Sequence, residues 1–313
     1  MNSISHKPVV LLAKKNANRE QFVLSLKAAE LRPLAVDTFA EVPAAFEASG
    51  SEVLVHVLDG FERNEVGLFH HRLVRSPDTR HLARFIVYQG SNERAVCFAH
   101  DLGMLKAVQG ERALTTLGYS VALALQSFLN LDKELRDVLT LAASGDCCVA
   151  PGELERWQKL AKDFPNQESL LIASARAGMV LNNNFEKAMQ LSKRLLDVNP
   201  KDVRAMTLAG DAHLFAGKLA DSARCILAAE MLATGNPSRL ATVARIAAMQ
   251  GDLATAKRCL QTAIDIYPVV RSIKPVIELL NYSEEERRLL FETLRQKLPA
   301  EDIAFLADAK DAA

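Results

Sequence analysis

The chain has 313 residues, long enough for two ordinary domains that each bury a core. Its 38 Lys and Arg balance 38 Asp and Glu, so net charge draws it to neither a nucleic-acid backbone nor an anionic membrane. Nearly half of the residues are hydrophobic and fall in short periodic runs, which excludes general disorder and a membrane span of about 20 apolar residues.

In chain order, the first eight residues lead into one short apolar run, Val9–Ala13, which Lys14 and Lys15 close at once. A secretory segment needs a longer apolar core and a small-residue cleavage site, so a cytoplasmic protein is expected. The five cysteines are odd in number and contain no C-x-x-C pair, so neither a disulfide framework nor a zinc site is encoded. Cys147 and Cys148 read as ordinary loop thiols, with a vicinal redox pair as the alternative.

Five apolar runs, Val9–Leu12, Leu34–Val36, Val53–Leu58, Phe85–Tyr88 and Leu105–Val108, alternate with amphipathic stretches, the signature of a parallel α/β sheet. The third run stops at Asp59, before a connection containing Phe61–Asn64 and a helix expected over Glu65–Val74. Strand C-termini are where doubly wound sheets place ligands. His70 and His71 with His81 and His100 do not read as a metal site, because adjacent histidines on a helix point about 100° apart and no acidic partner is suitably spaced. The helix expected over Glu111–Leu129 contains Ala113–Leu125, apolar around more of its circumference than one buried face explains. Burial against a second domain and self-association as a homodimer both account for that excess. Helical periodicity continues from Leu117 to Leu141 with no flexible stretch between, so a rigid junction centred on Leu125, Phe128, Leu129 and Leu131 is expected, dividing the chain into domains 1–130 and 131–313.

The strand–helix alternation before residue 130 resembles the receiver domain of two-component response regulators, an α/β flavodoxin-like fold on a parallel five-stranded sheet. Asp59 carries the resemblance, at the place where receivers keep their phosphoacceptor. The resemblance also implies an acidic pair after strand one to hold Mg²⁺, a hydroxyl ending strand four and a lysine after strand five. Those places are taken here by Ala13-Lys14-Lys15, by Tyr88 or Gln89, and by Gln109–Gly110 with Lys106 the nearest lysine. The expectation is a pseudo-receiver that keeps the fold without metal or other cofactor, with a Lys14–Asp59 ion pair in the cation's stead. The alternative is a phosphorylation-dependent response regulator that uses Asp59 and relays its change through the helix at 111–129.

Beyond residue 131, Asp132–Ala143 and Gly152–Asp163 read as a degenerate hairpin around the loop 144–151. A repeat follows. Asn183, Gly217 and Gly251 stand 34 residues apart, as do Ala188, Ser222 and Ala256, while Pro200 and Pro268 are two such steps apart. Gly or Asn tolerates the left-handed turn between two helices, a small residue five further on lets them approach, and proline stops the second. Helices at Ser272–Leu280, Ser283–Leu298 and Ala300–Ala309 close the array, with Ser283 and Glu286 forming a capping box.

These residues resemble the tetratricopeptide (TPR) family, over about Ser169 to Pro268, which implies an all-α TPR-like superhelix. Leu208-Ala209-Gly210, His213, Gly217, Ser222, Ile226 and Ala229 occupy its packing sites in order, with His213 and Ser222 in place of Tyr and Ala. The family's concave face, formed by the first helix of each hairpin, falls on Leu170, Ala173, Ala177, Arg204, Thr207, Asp211, Leu214, Arg245 and Ala248. None of G-x-x-x-x-G-K-[ST], G-x-G-x-x-G, G-x-S-x-G or H-E-x-x-H occurs. A non-catalytic adaptor in bacterial-type signalling is therefore expected. Its TPR groove takes a peptide or helix of a protein partner and its receiver-like domain binds a second regulator, with no nucleic acid and no membrane span.

Overall fold

The computed structural model describes residues 6–76, 78–88, 93–131, 133–144, 151–165 and 167–307. Two compact units divide between Ala177 and Gly178. Cys147, Cys148, Gln89 and Asp132 lie outside the described residues.

The first unit holds strands β1 (Pro8–Leu12), β2 (Arg32–Val36), β3 (Val53–Val57), β4 (Ala83–Tyr88) and β5 (Lys106–Gln109). All neighbours pair in parallel, in the order β2-β1-β3-β4-β5, the doubly wound order of flavodoxin-like sheets. Helices α1 (Ala17–Ala28), α2 (Val42–Ser49), α3 (Arg63–Arg75), α4 (Glu93–Asp101) and α5 (Gly110–Leu129) follow the strands in turn. Burial of both sheet faces explains why the central strands read as unbroken apolar runs. Side chains alternate: Val9, Leu11, Val53, Val55, Val57, Phe85 and Val87 meet Phe22 and Leu26 of α1 and Leu117, Val121 and Leu125 of α5. On the other face Val10, Leu12 and Leu54 pack with Ala45 of α2 and Leu73 of α3, and Ile86 packs with Val66 of α3 and Phe98 and Leu102 of α4. Helices α1 and α5 touch so closely that a Cβ on Gly118 would stand 2.0 Å from the Ser25 carbonyl oxygen.

Phe128 and Leu125 are buried in the α1–α5 core, with Leu129 and Leu131 against it. The next helix, α6 (Lys133–Ser144), packs on α3 and α4. Its Arg136 forks onto Glu52, just before β3, at 3.2 and 3.4 Å. The connection from α5 to α6 thus lies inside the first unit. Helix α7 (Pro151–Asp163) follows, and α8 (Glu168–Asn182) carries the chain to the division. The other side of α5 remains open: Tyr119 is 73% and Leu123 55% exposed.

The second unit is a helical repeat. Helices α9 (Phe185–Val198), α11 (Leu219–Leu232) and α13 (Leu253–Ile266) begin and end at steps of 34 residues, as do the starts of α10 (Val203–Phe215) and α12 (Pro237–Met249). The turn residues keep that step in conformation too, Asn183 at φ 51°, Gly217 at 74° and Gly251 at 84°. Lys218 N donates to His213 O and, 34 residues on, Asp252 N to Ala247 O, the bond that closes a left-handed helix end. Asp202 and Asn236, again 34 apart, cap α10 and α12 by accepting first-turn amides. Ala188, Ser222 and Ala256 are fully buried. Ser222, unusual at an alanine site, is satisfied because its hydroxyl donates to Gly210 O at 2.7 Å. Helices α14 (Val270–Leu279), α15 (Glu284–Arg295) and α16 (Ala300–Ala307) close the unit, and the capping box of Ser283 and Glu286 forms. Among the described residues no helix is long and apolar enough to cross a membrane.

Candidate functional site

The C-terminal edge of the sheet gathers the loops after β1 and β3. Leu58 N donates to Val87 O, extending the β3–β4 ladder by one residue and leaving Asp59 exposed at the head of the loop. Gly60 turns there at φ 80°, and a Cβ on it would stand 2.9 Å from Lys14 Cγ, so the β1 and β3 loops are in direct contact. Asn16 caps α1 through Oδ1, which accepts from Arg19 N at 3.1 Å, and its Nδ2 lies 3.4 Å from Asp59 Oδ2. The Lys14 ammonium sits 4.4 Å from the centre of the Phe61 ring. Arg19 pairs with Asp37 after β2 and also reaches Ala13 O.

Chemically, this edge sets the exposed Asp59 carboxylate against the Asn16 amide, with Lys14 against the adjoining Gly60 turn. The end of β1 offers Ala13, Lys14 and Lys15, none of them an oxygen ligand for Mg²⁺ through its side chain. Among the described residues no group of three His, Cys, Asp or Glu side chains could hold a metal ion. Tyr88 does end β4, but Lys106 opens β5 at the opposite edge of the sheet from Asp59. Lys106 is therefore not the lysine of this corner, because the preceding Leu105 belongs to the turn into the strand and β5 runs on to Gln109.

The nine residues expected to line a groove divide by burial. Leu170, Ala173 and Ala177 are fully buried, and Thr207 and Leu214 are 7% exposed, so these five present no side chain to a partner. For Thr207 and Leu214 stacking explains the correction: α10 packs on α9, α11 and α12. Thr207 also turns its hydroxyl onto Val203 O. Arg204, Asp211, Arg245 and Ala248 are half-buried. Arg204 is 3.4 Å from Asp202, while the Arg245 guanidinium lies 5.9 Å from the ring centre of Phe215, itself 39% exposed. Met249, one turn beyond Arg245, is also exposed. Elsewhere, a cavity of about 350 Å³ is lined by Leu135 and Val138 of α6 and by Arg156, Lys159, Leu160, Asp163 and Phe164.

One polar cluster escaped the sequence reading. His56 of β3 meets His70 of α3, with Nδ1 and Nε2 3.0 Å apart and both residues at zero exposure. Phe39 and Phe61 meet the His56 ring edge to face at 5.5 and 4.9 Å, and Phe69 stands at 6.3 Å. Arg84 of β4, 2% exposed, donates to Gly103 O at 3.1 Å. Nε2 of His56, Nδ1 of His70 and Nη1 of Arg84 are buried without hydrogen-bond partners. Burial holds the His56 imidazole down at about 3, and burial followed by the charges of His56, Arg84 and His71 holds His70 well below 6.5. The residue pattern could have shown only that His56 interrupts an otherwise apolar central strand.

No family model matches the sequence, and no curated protein matches it. Among solved structures it is similar to the crystal structure of MamA, at 15% identity and a TM-score of 0.32 over 51% of this chain and 90% of that one.

Proposed function

We propose that the chain is a non-catalytic, cytoplasmic adaptor for protein–protein interaction in bacterial-type signalling, in which TPR-like hairpins hold a peptide or helix of one partner and a pseudo-receiver sheet domain binds a second regulator. The observation that carries this reading is the 34-residue step in helix ends, caps and left-handed turns, because such arrays stack hairpins and leave extended faces for recognition. The contact residues are Arg204, Asp211, Arg245 and Ala248, with the exposed Phe215 beside Arg245. Affinity capture from the native cell with wild type and with the Arg204→Ala, Arg245→Glu double variant tests it. A partner recovered with wild type and lost with a variant of unchanged circular dichroism supports the groove, and equal recovery removes it.

A second reading rests on Asp59, exposed at the end of β3. It is a phosphorylation-dependent regulator in which Asp59 attacks phosphorus and the donor's carboxylate leaves. Intact mass after incubation with acetyl phosphate and Mg²⁺ separates the two: a stoichiometric phosphate adduct, absent in Asp59→Asn, favours this reading over the adaptor. Self-association through α5 is a further use of the sheet domain, favoured by the exposure of Tyr119 and Leu123. Light scattering over a concentration range decides it, and a monomeric mass throughout removes the homodimer.

A further inference from the structure

The contact between His56 and His70 constrains protonation by geometry alone. One imidazole must donate to the other across 3.0 Å, so doubly protonated rings would set two N–H groups against each other. A single added proton would place a cation at zero exposure. The groups that bear on His70 are His56 from β3, Arg84 from β4 and His71 from its own helix, all of them basic. Phenylalanine rings border His56 where a counter-ion would be needed.

We propose that this pair is an acid-operated latch: α3 stays on the sheet while both imidazoles are neutral, and is released when they separate, hydrate and take up one proton each. Helix α3 also packs against α6, so its release withdraws part of the surface on which α6 rests and carries the signal to the start of the helical segment.

The direction follows from proton linkage. In the released state each ring returns to an ordinary value near 6.5, so that state binds two more protons than the latched one. The latch is therefore fully held above about pH 6.5 and weakens below it. Two sites of this kind raise the opening constant about 100-fold between pH 7.5 and pH 5.5.

Hydrogen exchange of the full chain, read by mass spectrometry on peptides covering 63–75 and corrected for intrinsic rates, tests this. In wild type, α3 protection falls about 100-fold relative to α10 over those two pH units, whereas in His56→Leu, His70→Met it keeps pace with α10. Protection of α3 that tracks α10 in wild type overturns the proposal. So does a double variant with the wild-type loss, which would assign the effect to His71 or elsewhere. Should the variant fail to fold, ¹⁵N-histidine spectra of wild type decide: the His56 and His70 rings remain neutral at pH 5.5 in the latched protein, and titration of both near 6.5 with α3 still protected overturns it.

Discussion

Arg239 at the start of α12 and Glu230 near the end of α11 form an ion pair across the loop between these helices, with Nε 3.0 Å from Oε2 and the arginine side chain 1% exposed. The same guanidinium donates to Ala233 O, and the other Glu230 oxygen accepts from Gly235 N, so one pair fixes the whole connection. Removing one partner strands a buried charge. Glu230→Leu is expected to destabilise the second unit by about 3–5 kcal/mol, while combining it with Arg239→Met costs less than the sum of the two single changes. Urea unfolding of the four proteins checks this, and strict additivity would show that the two side chains act independently.

Two glycines should respond to alanine with opposite signs. A Cβ at Gly210 would lie 2.5 Å from the Ile226 side chain, whereas at Gly178 it meets nothing within 4 Å. Gly210→Ala should cost about 1–3 kcal/mol by forcing α10 and α11 apart. Gly178→Ala should stabilise by about 0.5–1 kcal/mol through helix propensity. Thermal melts of the two variants suffice, and the same sign for both would contradict the packing.

The start of α15 is sensitive to acid. Glu286 is held down at about 2, first by its hydrogen bond from Lys257 and then by those from Ser283. Its folded value lies below the ordinary 4.5, so its contribution is present above about pH 4.5 and lost as pH falls through about 2. Lys257→Met should move the carboxylate titration, followed by NMR, back toward 4.5. An unmoved titration would leave the capping box as the whole cause.

Leu125, fully buried between α5 and the sheet, stands near the α5–α6 connection. Leu125→Ala is expected to cost about 2–5 kcal/mol. Limited proteolysis of wild type should spare the segment from Leu125 to Arg136. Rapid cleavage there would contradict the packing of Phe128 and the Arg136–Glu52 pair.

What the sequence disclosed was whatever repeats or alternates along the chain. Five strands followed from apolar runs, and the hairpins from a period whose turn residues must be left-handed. The edge at which Lys106 would lie depended on a strand boundary, which periodicity resolves poorly because Leu105 continues the apolar run. The groove positions were legible as helix faces but not as accessible ones, since a helix flanked on three sides buries positions that look open on one hairpin. His56 and His70 are 14 residues apart and meet only because a strand and the helix after it fold over the same sheet face. The Asn16–Asp59 approach, across 43 residues, was equally invisible.

The regular step of the left-handed turns has a mechanical consequence. Each hairpin of the second unit ends on its own local turn, so tension applied along the chain can detach one hairpin while its neighbour still holds a closed set of caps. Lengthening would then come in equal instalments of one 34-residue repeat, about 120 Å of extended chain each, rather than in a single rupture.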